Sequence, residues 1–350
     1  MRPLSSAPAA PQAAPQTALQ AASLPPAQPA SHPYALERGG IWAAIHTPFR
    51  ADGALDLEGL RRNAERYVHD LQLSGVFYCG LMGEYWSLTL SERRQVTETL
   101  AAASAGRLGL APNCTHHSLA ETLELVRHAR AQGCHYVALM NPPVGPRSEE
   151  ALFEYFRAAL AATDMQAIVF NTPAGGYLLK PGLLARLCEL PNAAGERAVR
   201  AIKAAGGLAD RAAVRVACGQ AVMVSDPMEQ NWLENLLTHR QTLLFADPEP
   251  YLYQSKGHRP IADYYARYRA DDFEGLRAAH AALVPLRTLY NRWIMDPLMA
   301  GQPPNPGLKA WASALGFAAG PTRTPVRSLS PQDCATLRAQ LQEAGLPLAG

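Results

Sequence analysis

A lysine closes the apolar run Val199-Arg200-Ala201-Ile202-Lys203, and Ala204, Ala205, Gly206 and Gly207 follow it. The chain keeps only four lysines among 32 basic residues: Lys180, Lys203, Lys256 and Lys309. Arginine serves wherever a positive charge is enough, so the lysines that remain merit inspection for amine chemistry that a guanidinium cannot do. An amine at the end of a buried strand sheds hydration, which favours the neutral, nucleophilic form that attacks a ketone to give a Schiff base. The same residue could instead pair with a carboxylate or reach to the rim of the fold.

Other strand ends carry further chemistry. The turn Gly80-Leu81-Met82-Gly83-Glu84 follows an apolar run. Its glycines let the backbone approach a ligand, and its free N–H groups could hold a carboxylate. Glu84 is either a base or a ligand of its own loop's amides. Asn171 ends the run Ile168-Val169-Phe170-Asn171 and can satisfy loop groups, and Pro173 stiffens the exit. His46 ends the first run, ahead of Thr47-Pro48-Phe49, and is an acid/base at neutral pH or a structural residue. His116 and His117, beside Cys114, read as loop residues.

The elements that must position these groups alternate. Apolar runs at Ile41–His46, Val76–Gly80, Leu108–Asn113, Tyr136–Asn141, Ala167–Asn171, Val199–Lys203, Val214–Gly219 and Thr242–Asp247 are separated by amphipathic stretches such as Leu57–Leu71, Ser91–Ser104, Leu119–Ala131 and Glu149–Ala162. Thr89 and Glu92 have capping-box spacing, Ser148 precedes two glutamates, and Pro181 sits near a helix start. Eight strands alternating with helices over about 210 residues predict an α/β fold, a closed (β/α)8 TIM barrel. No GxGxxG follows the first strand, which removes a dinucleotide fold. The stretch from Gly219 to Leu243 is longer than expected, with Met223, Asp226, Glu229 and Trp232 placed near the mouth. Past residue 259 the pattern is helical only, with Ile261–Tyr268, Phe273–Met295, Leu308–Leu315 and Pro331–Glu343 forming a C-terminal helical extension. The expected division is therefore a disordered Ala/Pro-rich tail at 1–33, a barrel at 34–258 and a helical region at 259–350.

Composition narrows the class. Hydrophobic residues are 48 % of 350 and charged residues 18 %, enough for a large core. A net charge of +2 gives no footprint for nucleic acid, and no apolar run reaches the length of a membrane span. Six cysteines without CxxC spacing, and no completing histidine pattern, point to reduced thiols in a cytoplasmic protein and to no metal or cofactor.

Taken together, Thr47-Pro48-Phe49, Gly80-x-x-Gly83-Glu84 with Leu88-Thr89, Asn171-x-Pro173, Ile202-Lys203 and the Pro306–Leu315 helix followed by Pro325 resemble the dihydrodipicolinate synthase/N-acetylneuraminate lyase family, from about Gly40 to Leu346. The resemblance implies a (β/α)8 barrel with a C-terminal helical domain, assembled as a homo-oligomer, tetramer or dimer. It implies an imine between Lys203 and pyruvate or another small 2-oxo acid, with Gly80 to Gly83 around the carboxylate and Thr47, Phe170 and Asn171 beside the substrate. The chain departs from the family where it matters for proton transfer. Leu81 and Met82 replace two threonines, and Phe170 replaces the relay tyrosine. Val144 stands where the synthases carry a second relay tyrosine, and Gly175 where they carry a carboxylate-binding arginine. Three readings follow. The first is a Schiff-base lyase, aldolase or hydratase-aldolase with another acid/base, drawn from His46, Glu84, Cys114, Tyr177 or Asp247. The second is a non-catalytic 2-oxo acid binding or regulatory homologue, and the third a reaction that needs no imine. The retained lysine favours the first. Leu81, Met82, Val144 and Phe170 suggest an apolar pocket, suited to an apolar or aromatic aldehyde half.

Overall fold

The computed structural model describes residues 33–145, 147–173 and 177–350. The tail expected at 1–33 falls outside them, apart from Pro33, as does Gly175. Eight strands run β1 Gly40–Ala44, β2 Gly75–Tyr78, β3 Gly109–Pro112, β4 Tyr136–Met140, β5 Gln166–Asn171, β6 Val199–Ala204, β7 Met223–Ser225 and β8 Leu243–Phe245. All pair in parallel, in ladders ordered β3-β2-β1-β8 and β4-β5-β6-β7. A parallel bridge from Asn113 to Ala138 joins β3 to β4. Between β7 and β8 the Phe245 N–H donates to Ser225 Oγ (2.9 Å) and the Asp247 N–H to the Pro227 carbonyl (2.8 Å). The sheet thus closes into the (β/α)8 barrel. Its strands are buried almost throughout, because helices cover the outer face while side chains fill the inside.

The crossover helices are α1 Leu57–His69, α2 Leu90–Ser104, α3 Leu119–Ala131, α4 Glu149–Ala161, α5 Pro181–Cys188, α6 Leu208–Cys218 and α7 Trp232–His239, with a short α8 Glu249–Leu252 after β8. Local chemistry starts them. Thr89 and Glu92 form the reciprocal capping box, Ser118 and Ser148 accept N–H groups of the first turn, and Pro181 takes the first turn of α5. The amino-terminal end of the barrel is plugged by Trp42. Its indole lies so close to Gly75 and Gly109, the first residues of β2 and β3, that a Cβ at either would come within 2.4 Å of the ring. Lys203 stands toward the opposite, carboxyl ends of the strands.

One expected strand is corrected. Val214–Gly219 lies in and just beyond α6, and the seventh strand is Met223–Ser225. The β-branched Val214 and Val216 suggested a strand, but too few residues separate Lys203 from Val214 for a parallel crossover, which needs about a dozen or more. The Asp210 carboxylate takes the Gly207 N–H (2.8 Å) and starts the helix there. The surplus length after Gly219 is then used by β7 and α7.

The C-terminal region holds α9 Pro260–Arg269, α10 Phe273–Ala281, α11 Val284–Tyr290, a π turn Asn291–Met295 running into α12 Asp296–Met299, α13 Asn305–Ala314 and α14 Pro331–Glu343. The stretch Phe273–Met295 is not one helix: it breaks at Ala282–Leu283, ahead of Pro285 in the first turn of α11, because proline cannot donate to the preceding turn. No helix among the described residues is long and apolar enough to cross a membrane.

Candidate active site

β6 carries Lys203 between Phe170 of β5 and Ser225 of β7, its register neighbours on either side. The side chain is fully buried. Its Nζ donates to Asp247 Oδ1 at 2.7 Å and to the Ala246 carbonyl at 3.1 Å, both just beyond β8. The rings of Phe170, Phe77 and Phe245 lie 4.5, 5.2 and 5.7 Å from Nζ. The amine therefore sits in an apolar collar whose ring faces attract a cation, with one carboxylate in hydrogen-bond contact. Asp247 retains 12 % side-chain exposure against none for Lys203.

The Gly80–Gly83 turn is built beside this collar. A Cβ on Gly80 would come within 2.5 Å of the Phe77 ring, the same ring that faces Lys203. Thr47 Oγ1 donates to the Gly83 carbonyl (2.8 Å), and the Gly83 and Tyr85 N–H groups donate to the Gly80 carbonyl (3.1 and 3.2 Å). From α13, Asn305 Nδ2 donates to the Met82 carbonyl (3.0 Å) and the Leu81 carbonyl (3.4 Å). The Leu81–Met82 peptide turns its oxygen to Asn305, so its N–H points the opposite way. Among the described residues the Leu81 and Met82 N–H groups have no acceptor, which suits them to a carboxylate. Thr47 thus fixes the turn from behind through its hydroxyl.

Glu84 takes left-handed backbone (φ +56°) and is completely buried. Its Oε1 lies 2.6 Å from Lys309 Nζ and its Oε2 accepts the Arg323 N–H at 3.4 Å. Lys309 also donates to the Pro321 carbonyl (2.8 Å) and lies 4.0 Å from the Phe49 ring centre. Burial pulls its amine down to about 8, against the Glu84 charge. Glu84 thus ties the turn to the C-terminal region.

The other residues considered for acid/base work are engaged elsewhere. His46 Nδ1 meets Tyr251 Oη (3.0 Å) and Nε2 meets the Ala318 carbonyl (2.8 Å), so both ring nitrogens are occupied. Burial lowers its pKa to about 4, opposed by the Ala318 bond and aided by the Lys309 charge. Cys114 is buried against the Pro112 carbonyl (3.7 Å), and burial pushes its thiol up. Tyr177 donates to the Pro142 carbonyl (3.3 Å) under the Arg147 guanidinium, and burial raises its phenol. The Asn171 amide closes on both backbone groups of Leu179 (2.8 and 3.2 Å), clamping the loop after β5. Val144 is 66 % exposed and does not share an interior pocket with the buried Met82 and Phe170. Only Asp247 of these candidates touches Lys203.

Of the groups behind Asp247, the sequence placed Glu229 near the mouth and gave no role to Glu249, Tyr264 or Arg287. Glu229 receives two bonds from Arg287 (Nε to Oε2 3.0 Å, Nη2 to Oε1 2.9 Å) and one from the Tyr264 hydroxyl (2.9 Å). Glu249 accepts the Glu229 N–H at 3.2 Å. The signal was the Asp247-Pro248-Glu249 triplet, two acids flanking a proline after the last strand. One group of metal-ligand types stands together among the described residues, His116, His117 and Glu121, partly exposed at the start of α3. His116 Nδ1 already accepts the Ser118 N–H (3.1 Å), and a helix amino terminus disfavours a cation.

Residues 37–225 match the Dihydrodipicolinate synthetase family. A 4-hydroxy-tetrahydrodipicolinate synthase of Methanothrix thermoacetophila is 35 % identical over 169 residues, 48 % of this chain and 54 % of that protein, so this match spans about half of the relative's length. The enzyme of the same name from Moorella thermoacetica is 28 % identical over 312 residues, 89 % of this chain and all of that protein. The crystal structure of YagE, a prophage protein of the dihydrodipicolinic acid synthase family from E. coli K12 in complex with pyruvate, superposes with a TM-score of 0.73 at 20 % identity, covering 88 % of this chain and 99 % of that one. This last likeness is one of fold.

Proposed function

This chain belongs to the dihydrodipicolinate synthetase family, and on that premise we propose that it is a lysine-imine carbon–carbon lyase, an aldolase or hydratase-aldolase, acting on pyruvate or another 2-oxo acid. The observation that carries the reading is the 2.7 Å contact between Lys203 Nζ and Asp247 Oδ1 inside the phenylalanine collar. A barrel of the same fold is known in complex with pyruvate, which supports the choice of ligand.

The 2-oxo acid carboxylate rests on the Leu81 and Met82 amides and its ketone faces Lys203. Asp247 takes a proton from the ammonium: an N–H bond breaks and an O–H bond forms. The freed amine adds to the ketone carbon, the C=O pair moves to oxygen, and the proton lost by nitrogen passes to that oxygen. Asp247 then returns its proton to the hydroxyl, which leaves as water while the nitrogen lone pair closes the C=N bond. The resulting carboxylate is placed to remove a proton from the carbon next to the iminium, giving the enamine that makes a carbon–carbon bond, or to return one after cleavage. Asp247 thereby does the work for which Phe170 has no hydroxyl.

Borohydride reduction with pyruvate, followed by intact mass, tests the reading. A covalent adduct on Lys203 is expected, absent in Lys203→Ala and in Lys203→Arg, because guanidinium forms no imine. No adduct with any 2-oxo acid overturns it. A second reading, a non-catalytic 2-oxo acid binding or regulatory homologue, is favoured by the complete burial of Lys203 and by Phe170. Trapping without turnover across a broad aldehyde and 2-oxo acid panel would select it. The reading keeps a cytoplasmic homo-oligomer, tetramer or dimer, which light scattering can test for assembly.

A further inference from the structure

Behind Asp247, between the carboxyl ends of β7 and β8 and helices α9 and α11, lie the carboxyls of Asp247, Glu229 and Glu249 with two cations, while Asp226, next after β7, is paired with Arg211. Lys203 pairs with Asp247 and Arg287 grips Glu229 with two bonds. Glu249 is the carboxyl left over. It is 1 % exposed, its carboxyl takes only backbone N–H groups, that of Glu229 at 3.2 Å and its own, and among the described residues no cation pairs with it. The Tyr290 hydroxyl of α11 is buried without a hydrogen-bond partner among the described residues. A carboxylate enclosed with no cation of its own is far more costly than the neutral acid. Asp247 and Glu229 are negative, and Arg287 is committed to Glu229; farther out, Asp226 is paired with Arg211, and His280 packs on Tyr264 and accepts Arg287 through its carbonyl. The phenols of Tyr251, Tyr253, Tyr264 and Tyr290 lie within its field and are themselves pushed up by burial. Burial first, then the Asp247 and Glu229 charges, hold the Glu249 carboxyl well above the ordinary range.

We propose that Glu249 is a positioning residue for Lys203: it stands behind Asp247 as an uncharged carboxylic acid, and when it ionises it sets a second negative charge beside the Lys203–Asp247 pair that holds the amine protonated. While Glu249 is neutral, Asp247 is the one carboxylate acting on the ammonium, and transfer of a single proton to Asp247 frees the nucleophile. Once Glu249 loses its proton, two negative charges oppose that transfer. The device replaces no atom of the lost tyrosine; it sets the pH range in which the lysine works.

The inference rests on the imine reading, so its test has two arms. Adduct formation with pyruvate is followed by borohydride trapping against pH in the full-length wild type and in Glu249→Gln, which keeps the shape and cannot ionise. The midpoint of Glu249→Gln is expected at lower pH by half a unit or more, with the adduct still formed on Lys203. An unchanged midpoint, or one moved upward, overturns the inference while leaving the imine reading intact. The second arm needs no adduct. A wild-type-minus-Glu249→Gln infrared difference spectrum at neutral pH is expected to show the carbonyl band of a protonated carboxylic acid. A carboxylate band in its place overturns the inference, even if no 2-oxo acid is trapped and the imine reading itself fails. Should Glu249→Gln fold poorly, Glu249→Leu carries both arms with the same expected signs.

Discussion

Phe170 lies 4.5 Å from the Lys203 amine and has no proton to give, so every proton that the amine exchanges must pass through another group. Asp247 is the one side-chain partner Lys203 has among the described residues, and replacing it by Asn keeps the shape while removing the acceptor. Asp247→Asn is expected to slow adduct formation with pyruvate about 100-fold, read by timed borohydride quenching, as general acid–base groups commonly contribute that much. A loss of less than threefold would send the acid/base role elsewhere. Apolar Phe77, Phe170 and Phe245 around the amine leave a polyhydroxylated substrate short of partners, at about 1–3 kcal/mol for each buried hydroxyl left unpaired. N-acetylneuraminate and aspartate semialdehyde are therefore expected to be poor substrates in a coupled lyase assay. Efficient turnover of either would refute the apolar pocket. Lys203 was legible because lysine is scarce here. Asp247 was legible only as one of five acids and bases, because its contact with Lys203 joins positions 44 residues apart.

The elements around the site are held by buried polar ties, and two of these predict stability. Glu84 braces the Gly80–Gly83 turn against Lys309 of α13 at 2.6 Å. Lys309→Met leaves that carboxylate buried and unpaired, at an expected cost of about 3–5 kcal/mol in denaturant unfolding. A change below about 1 kcal/mol would mean that the turn does not need the brace. His46, at the end of β1, titrates near 4 in the fold against an ordinary 6.5. Its folded pKa is the lower one, so the unfolded chain binds more protons between these values. Stability is full above about 6.5 and falls as the pH drops toward 4, by roughly 3 kcal/mol in all. His46→Gln should flatten that slope in unfolding curves taken across the interval. Which elements could be read beforehand follows from their physics. Strands buried on both faces announce themselves as apolar runs, and caps such as Thr89 and Glu92 sit within one turn of the helix they start. β7 has three residues, Met223–Ser225, too short for a pattern, while the valines of α6 imitate one. Only the length a crossover needs separates the two.

On the scale of the whole molecule, the C-terminal helices complete the barrel. Arg287 of α11, Asn305 and Lys309 of α13 and the Ala318 carbonyl reach respectively Glu229, the Gly80–Gly83 turn, Glu84 and His46. A chain ending at residue 258 would strip Glu229 of Arg287 and Glu84 of Lys309, and would bare the apolar surface that Ile261, Tyr264, Leu286 and Trp311 cover. Such a truncation is expected to lose cooperative unfolding and pyruvate trapping together; a folded, trapping fragment would show that the barrel stands alone. The lysine distribution has a practical side. Lys203 and Lys309 are enclosed, at 0 % and 2 % exposure, while Lys180 and Lys256 lie on the surface. An amine-acylating reagent therefore meets just two lysine side chains on the folded protein, neither of them at the strand ends that form the site. The molecule can be biotinylated or fixed to a sensor surface through Lys180 and Lys256 with the enclosed Lys203 amine untouched.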